Sequence, residues 1–321
     1  MSARQGGATV QILMAVYNGG RYLREQLDSL LVQTFGDWEL LVSDDCSTDG
    51  SLDVLREYAE RDERIRVVLE GEHYGAAKPH FMALLRLADA PYVMTCDQDD
   101  VWDADKVAVT LEAMRAEEAA SAGAEPLLVC TDLRVVDESL RVLSPSFLAY
   151  SGMDASKLDF GYFLASCLVT GCTMMVNHPL LSLLREPVDE GALVMHDWWA
   201  SLVAAAFGRV VHLDRATISY RQHGDNSVGA DRFTVARALA ALDAKRQTER
   251  EAVAQAGEFA RVFGGRLDDA RRSQLEAYLQ VPQVSPLARV GLLGKAGVWR
   301  HGLLRNAGTL LTFLTLNHGK K

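Results

Sequence analysis

The chain has no G-x-G-x-x-G after its first apolar run, no G-x-x-x-x-G-K-[ST] anywhere and no C-x-x-C pair. Those absences remove the main support for dinucleotide-binding and P-loop readings. Five cysteines (Cys46, Cys96, Cys130, Cys167, Cys172) lack zinc-site spacing, and an odd, unpaired set fits reduced thiols in a cytosolic protein better than a disulfide frame. The opening Met1-Ser2-Ala3-Arg4 has no apolar core of the kind a secretory signal needs. A net charge of -10 over 321 residues leaves too little cation excess for nucleic acid to be expected as a partner. Acid is in turn missing from the end: after Glu276 there is no Asp or Glu, while Arg289, Lys295, Arg300, Arg305, Lys320 and Lys321 are basic.

What the chain does have is a succession of apolar runs that end in polar residues. Residues 8 to 16 read as a buried strand breaking at Tyr17-Asn18-Gly19-Gly20, followed by a helix from Arg21 to about Gln33 with Leu23, Leu27 and Leu30 at helical spacing. Trp38 to Ser43 reads as a second strand ending in Asp44-Asp45, and Leu52, Leu55 and Tyr58 start a helix for which Ser51 is a plausible cap. Ile65 to Leu69 and Pro91 to Met94 supply two further strands, with a short helix from His80 to Ala88 between them. Strands alternating with helices argue for a doubly wound, Rossmann-like α/β sheet whose ligands sit at the C-terminal strand ends.

At that edge the polar residues become specific. Cys96-Asp97-Gln98-Asp99-Asp100-Val101-Trp102 packs three carboxylates into four positions, which calls for a compensating cation or donors, or else is an acidic turn capping a helix near Asp103. Two adjacent acids at Asp44 and Asp45 exceed what a cap requires; Asp49 and Ser51 read as turn formers. Leu127 to Asp137 reads as another strand. The run from Phe160 to Met175, broken at Gly171-Cys172, reads as a helix or loop feeding a strand. Met195-His196-Asp197-Trp198-Trp199 opens an apolar helix, and is either a plain helix start with a core aromatic pair or an acid of raised pKa beside a sugar-stacking platform. Val210 to Leu213 and Thr217 to Tyr220 read as two closing strands, the second leading to Arg221-Gln222-His223, where ligation through a neutral imidazole is credible.

From Asp231 the composition turns helical, with a break at Gly264-Gly265 and a joint at Pro282 and Pro286. Residues 1–230 are thus expected to form one domain and 231–321 a helical extension. The apolar, basic segment 287–316 is too short in its uncharged runs to cross a bilayer. It suits a helix lying on an anionic membrane face, or one packed on its own domain or on a second copy of the chain as a homo-oligomer.

Val16-Tyr17-Asn18-Gly19, Ser43-Asp44-Asp45-Cys46-Ser47-Thr48-Asp49-Gly50-Ser51 and Asp97-Gln98-Asp99-Asp100, in this order and spacing, resemble the family 2 glycosyltransferases of the GT-A fold, nearest to bacterial rhamnosyltransferase-like enzymes of surface polysaccharide synthesis. The resemblance covers about residues 8 to 228. It implies a mixed GT-A sheet and an inverting transfer from a dTDP- or UDP-linked sugar to a glycan or lipid-linked acceptor, with Mg²⁺ or Mn²⁺ as cofactor, at the cytoplasmic side of the membrane. It implies that Asp44 or Asp45 holds base and ribose, with Ala15, Tyr17, Asn18, Lys78, Asp97 and Gln98 around the nucleotide and Gly75 bordering the diphosphate. Asp97 and Asp99 match the family's Asp-x-Asp, with Asp99 favoured as the direct ligand and His223 as a third metal contact. Asp197 falls at the catalytic base, and Gly171, Cys172, His196, Trp198 and Trp199 at the sugar and acceptor side. The chain departs from the family at Cys46, where Gly is common, at His196, where many members carry Glu, and at the extra acid Asp100. A sugar nucleotidyltransferase, or a non-catalytic subunit of a polysaccharide assembly complex, is the alternative; the former needs a Gly-rich triphosphate loop that residues 8 to 30 do not offer.

Overall fold

A computed structural model describes residues 7–121, 125–223, 242–299 and 303–314. They divide into two compact units: residues 7–147, 169–185 and 211–223 form the first; residues 148–168, 186–210, 242–299 and 303–314 form the second. The segments 148–168 and 186–210, expected with the N-terminal domain, thus group with the helical extension.

The first unit is built on a sheet. Strands β1 (Val10–Val16), β2 (Trp38–Asp44), β3 (Ile65–Val67) and β4 (Tyr92–Cys96) run parallel in the order β3-β2-β1-β4. Their runs of Val, Ile, Leu and Met are buried, as strands covered on both faces require. Helices α1 (Leu23–Leu31), α2 (Ser51–Arg61) and α3 (Ala77–Leu87) make the crossovers. Beyond β4 the sheet becomes mixed. After β5 (Val101–Trp102), α4 (Lys106–Ala120), β6 (Leu127–Val136) and β7 (Val142–Ser144), strand β8 (Met174–Asn177) runs antiparallel to both β4 and β6. The closing strand β9 (Arg209–Arg221) pairs antiparallel with β5.

Several expectations are corrected. The two closing strands are one strand of 13 residues, which lies between β6 and β5 in the sheet and stays extended through the predicted gap at 214–216. The third strand stops at Val67, and Leu69 follows at φ 54°. Ser51 does not cap α2: it is the first helical residue, and the cap position is Gly50 at φ 89°, a conformation suited to glycine. The helix expected to begin near Asp103 starts at Lys106, with Asp105 and not the acidic turn at its cap position, and the Asp103 carboxylate accepts from both ends of the Arg134 fork at 2.7 Å.

In the second unit, the short helices α5 (Phe147–Ser151, from its second residue) and α6 (Phe160–Ala165) precede α7 (His178–Leu184) of the first unit, and α8 (His196–Phe207) follows. Helices α9 (Leu242–Phe263), α10 (Asp269–Gln280), α11 (Pro286–Ala296) and α12 (Leu303–Leu314) complete the unit, with a 3-10 turn at Gly264–Arg266 marking the predicted break. Gly161 of α6 lies so close to Ala296 that an added Cβ would stand 2.5 Å from its carbonyl oxygen. Two cations of the basic tail have partners inside the unit, while Arg300, Lys320 and Lys321 lie outside the described residues. Arg289 is buried and donates to Phe313 O at 2.6 Å, and Arg305 donates to Ser151 O. Lys295 stays exposed, as does Leu287 at 87%. No helix of the described residues is long and apolar enough to cross a membrane.

Candidate active site

Because β1, β2 and β4 are parallel and in register (Val16↔Asp44, Met14↔Cys96), their C-terminal loops open on one edge. There the loop after β1 is tied to its neighbours by side chains. Asn18, at φ 47°, donates its N–H to Ser47 Oγ at 2.8 Å and accepts from Thr48 N at 2.9 Å. Gly19 N donates to Ser51 Oγ and Gly20 N to Asp49 Oδ2. Hydrogen bonds from Ser51 and Gly20 hold the Asp49 carboxyl below its usual range, against the upward push of burial. Gln98 clasps Tyr17 through both its amide atoms, accepting from Tyr17 N at 2.8 Å and donating to Tyr17 O at 3.0 Å. A Cβ on Gly19 would fall 2.6 Å from Gln98 Oε1, so a side chain there would displace the Gln98 amide from Tyr17. Tyr17 itself is exposed.

The adjacent acids divide their work. Asp45 accepts from Tyr74 N at 2.5 Å and Gly75 N at 2.8 Å, and His73 Nδ1 lies 2.9 Å from it. It therefore builds the 73–75 loop that leads into α3, whose first turn carries Lys78. Tyr74 stacks on His80 with 4.5 Å between ring centroids; burial keeps the His80 imidazole below its usual pKa, opposed by Asp45 and Asp44. Asp44 is also buried, but only its Oδ2 is engaged, by Ser47 N; Oδ1 has no hydrogen-bond partner. Cys46 between them and the Ser47 turn adopts φ 57°, a backbone conformation that favours glycine.

At the end of β4 the three carboxylates separate into two groups. Asp99 Oδ2 lies 2.8 Å from His223 Nε2. Asp97, Asp100 and Cys172 form the other group, with donor atoms within 4.8 Å of one another. Of the expected metal set, Asp97 lies with Asp100 and Cys172, and Asp99 with His223. Asp100 is fully buried, and desolvation together with the charges of Asp97 and Asp99 pushes its carboxyl well above the usual range. The same burial, with Asp97 and Asp100 nearby, raises the Cys172 thiol. Such crowding, offered mainly by oxygen donors with one imidazole, is a donor set that suits Mg²⁺ or Mn²⁺. Cys172 and Gly171 are buried, and Thr95 Oγ1 donates to Gly171 O at 2.6 Å. They line the floor beside Asp97 and are not open to an acceptor.

Asp197 lies in the first turn of α8, where the helix dipole favours a carboxylate. Its Oδ1 accepts from Trp198 N at 2.7 Å, which fixes the carboxylate's orientation. The tryptophans are no sugar platform. Trp198 donates Nε1–H to Phe163 O at 2.7 Å, and Trp199, with 0% exposure, packs against Phe259 and Phe263. His196 is buried as well, and desolvation lowers its pKa while Asp197 pulls it up.

Three residues escaped the sequence reading. Arg221, 1% exposed, donates to Asp99 O at 3.0 Å, Glu138 O at 2.6 Å and Glu25 Oε2 at 2.6 Å. Lys106 is buried with its ammonium 4.7 Å from the Trp102 ring centroid, and desolvation brings its pKa from 10.5 down to about 8. Ser47 joins the β1 and β2 loops. A signal existed for Lys106, which shares a helix face with Thr110 and Met114, but helical spacing cannot say that such a face is wholly covered.

Residues 11–175 match the family model of glycosyl transferase family 2. The chain is 42% identical over 105 residues to a putative teichuronic acid biosynthesis glycosyltransferase of Bacillus subtilis, a match covering 33% of this chain and 41% of that protein. It is 26% identical over 236 residues to a dTDP-rhamnosyl transferase of Shigella flexneri, covering 68% and 74%. Its backbone is similar to S. aureus TarS 1-349 in complex with UDP-GlcNAc, with TM-score 0.57 and 17% identity over 96% of this chain and 90% of that one. A mannosyltransferase from Pyrobaculum calidifontis in complex with GDP-Man and Mn²⁺ gives TM-score 0.51 at 16% identity, over 96% and 80%.

Proposed function

Because this chain belongs to glycosyl transferase family 2 and has the GT-A fold, we propose that it moves a sugar from a nucleoside diphosphate to a hydroxyl of a glycan or lipid-linked acceptor in surface polysaccharide synthesis. The observation that carries the reading is the sheet edge itself. It offers a buried carboxylate oxygen, Asp44 Oδ1, with no hydrogen-bond partner, and on the same edge a crowded group of acids at Asp97, Asp99 and Asp100. A base or ribose donor would satisfy the first; a diphosphate carried by a divalent cation would relieve the second.

In this reading Asp44 rather than Asp45 takes the nucleoside, because Asp45 is spent on Tyr74 and Gly75. Tyr17, Asn18, Ala15 and Lys78 border the nucleotide, and Gln98 holds the Tyr17 backbone in place. Asp97, Asp99 and His223 would hold Mg²⁺ or Mn²⁺, which when bound supplies neutralisation of the charge developing on the departing diphosphate. Asp197 acts as general base: it takes the proton of the acceptor hydroxyl, whose oxygen attacks the anomeric carbon opposite the leaving group and inverts it. Support for a dTDP- or UDP-linked donor comes from the Shigella relative and from the UDP-GlcNAc bound to TarS. Against a nucleotidyltransferase stands the loop after β1, whose amides at Asn18, Gly19 and Gly20 are already taken by Ser47, Ser51 and Asp49 and cannot cradle a triphosphate. For the tail we favour packing within its own unit, since Arg289 and Arg305 are turned to internal carbonyls; co-sedimentation with anionic vesicles is expected to leave the protein in the supernatant.

Incubation with dTDP-rhamnose and the UDP-hexoses plus Mn²⁺ is expected to give metal-dependent transfer or donor hydrolysis. Asp197→Asn should abolish transfer while nucleotide binding by calorimetry persists; wild-type transfer by that variant would remove Asp197 from its role. No metal-linked nucleotide binding in the wild type would favour the non-catalytic subunit.

A further inference from the structure

We infer that Arg221 is a positioning residue for the metal–diphosphate site: its guanidinium sets the Asp99 main chain and the His223 ring so that both can serve one cation. The inference rests on the metal reading above. Arg221 ends β9, two residues before His223. Its three donating nitrogens reach three segments far apart in sequence: Nε donates to Asp99 O (3.0 Å), Nη1 to Glu138 O (2.6 Å) and Nη2 to Glu25 Oε2 (2.6 Å). Its own N–H donates to Asp100 Oδ1 at 3.2 Å. The guanidinium lies over the Tyr22 ring, 4.3 Å from the centroid, and the His223 ring packs against the same tyrosine with 5.0 Å between centroids. One fork therefore joins the strand that delivers His223, the loop that carries Asp97 to Asp100, and the helix that supplies Tyr22 and Glu25.

The physical argument is one of cost and geometry. A guanidinium with 1% exposure has given up its hydration, and its carboxylate partner Glu25 is about half exposed. Buried ionic groups of this kind stabilise a fold less than well-packed apolar residues of the same volume do. What an apolar residue could not supply is direction. A planar fork with fixed donor angles holds its acceptors in set directions, which the rotatable ammonium of a lysine does not. Here one of those acceptors is the carbonyl of Asp99 itself, whose carboxylate meets His223 at 2.8 Å. Outer partners of metal ligands act in this way, by fixing the orientation of the groups that touch the cation. Buried as it is, Arg221 is out of reach of substrate, so its effect passes through Asp99 and His223.

The test compares wild type, Arg221→Lys, Arg221→Met and Glu25→Gln. Mn²⁺ binding is read by electron paramagnetic resonance in the presence of UDP, and thermal unfolding is followed without metal. Both Arg221 variants should bind Mn²⁺ about 10- to 100-fold more weakly, and Glu25→Gln, which keeps the guanidinium and frees one arm, about three- to tenfold more weakly. Arg221→Lys, which keeps the charge, should recover folding without recovering affinity. In the background of His223→Gln, Arg221→Lys should add little further loss, because both changes act on the same ligand geometry. Affinity within twofold of wild type in folded Arg221→Lys, or a fully additive double variant, would overturn the positioning role. If the wild type itself binds no Mn²⁺ with UDP, the metal reading fails first and the inference falls with it, which is a distinct outcome.

Discussion

Two groups of neighbouring carboxylates, Asp44–Asp45 and Asp97–Asp99–Asp100, end the parallel strands β2 and β4 on either side of β1, and they resolve their mutual repulsion in opposite ways. At the end of β2, Asp45 is neutralised locally by the Tyr74 and Gly75 amides and by His73, which leaves Asp44 with one quiet, unpartnered oxygen. At the end of β4, Asp97, Asp99 and Asp100 stay crowded, and the strain appears as an Asp100 carboxyl held well above its usual pKa. The first arrangement is a hydrogen-bond acceptor waiting for a neutral donor. The second is a crowd of acids whose mutual repulsion the fold leaves in place. Near-identical sequence fragments, Asp-Asp and Asp-x-Asp-Asp, thus take different chemistry from what folds over them.

The sharpest way to break this contrast is at Asp99. Asp99→Asn should weaken Mn²⁺ binding by more than the roughly 10- to 100-fold typical of an outer partner, measured by calorimetry, while the denaturation midpoint stays near wild type. Next comes Lys106, the buried ammonium that feels the Asp100 charge. Its pKa is depressed in the fold, from 10.5 to about 8, so between those values the unfolded chain holds more protons than the folded one. Stability of the metal-free protein should therefore rise with pH from about 8 to 10.5, by up to about 3 kcal/mol, with the full penalty present below pH 8. Lys106→Met should lose that rise; urea unfolding across this pH range in both proteins checks it. The smaller effects separate the β2 acids. Asp45→Asn, which turns a donor toward an amide, should cost about 2 kcal/mol of stability with Mn²⁺ affinity intact. Asp44→Asn should leave stability near wild type and weaken UDP binding about tenfold, worth about 1.4 kcal/mol; equal nucleotide loss in both variants would erase the distinction drawn here.

Periodicity and strand-end chemistry made much of the first unit legible. Buried runs of Val, Ile and Leu alternating with amphipathic helices can bury their apolar surface in few ways, and parallel strands then bring Asn18, Asp44 and Asp97 to one edge whatever the loop details. Trp198 and Trp199 were ambiguous for the opposite reason: an aromatic beside an acid looks the same in one dimension whether it faces solvent or Phe259. The two expected closing strands failed similarly, since the polar interval from Asp214 to Ala216 looks like a turn unless the place of β9 between β6 and β5 is known.

The tail shows the same division. Its lack of acid after Glu276 is a property of sequence, yet that Arg289 is turned to Phe313 O is a matter of packing. By itself the chain determined the order of strands and helices, the edge at which the acids gather and the residue types gathered there, because these follow from short-range spacing. Only the tertiary structure decided which acid is spent and which is open, and that Arg221 lies beneath them. Those outcomes depend on hydrogen bonds between residues as far apart as Glu25 and Arg221, and no local pattern encodes such a contact.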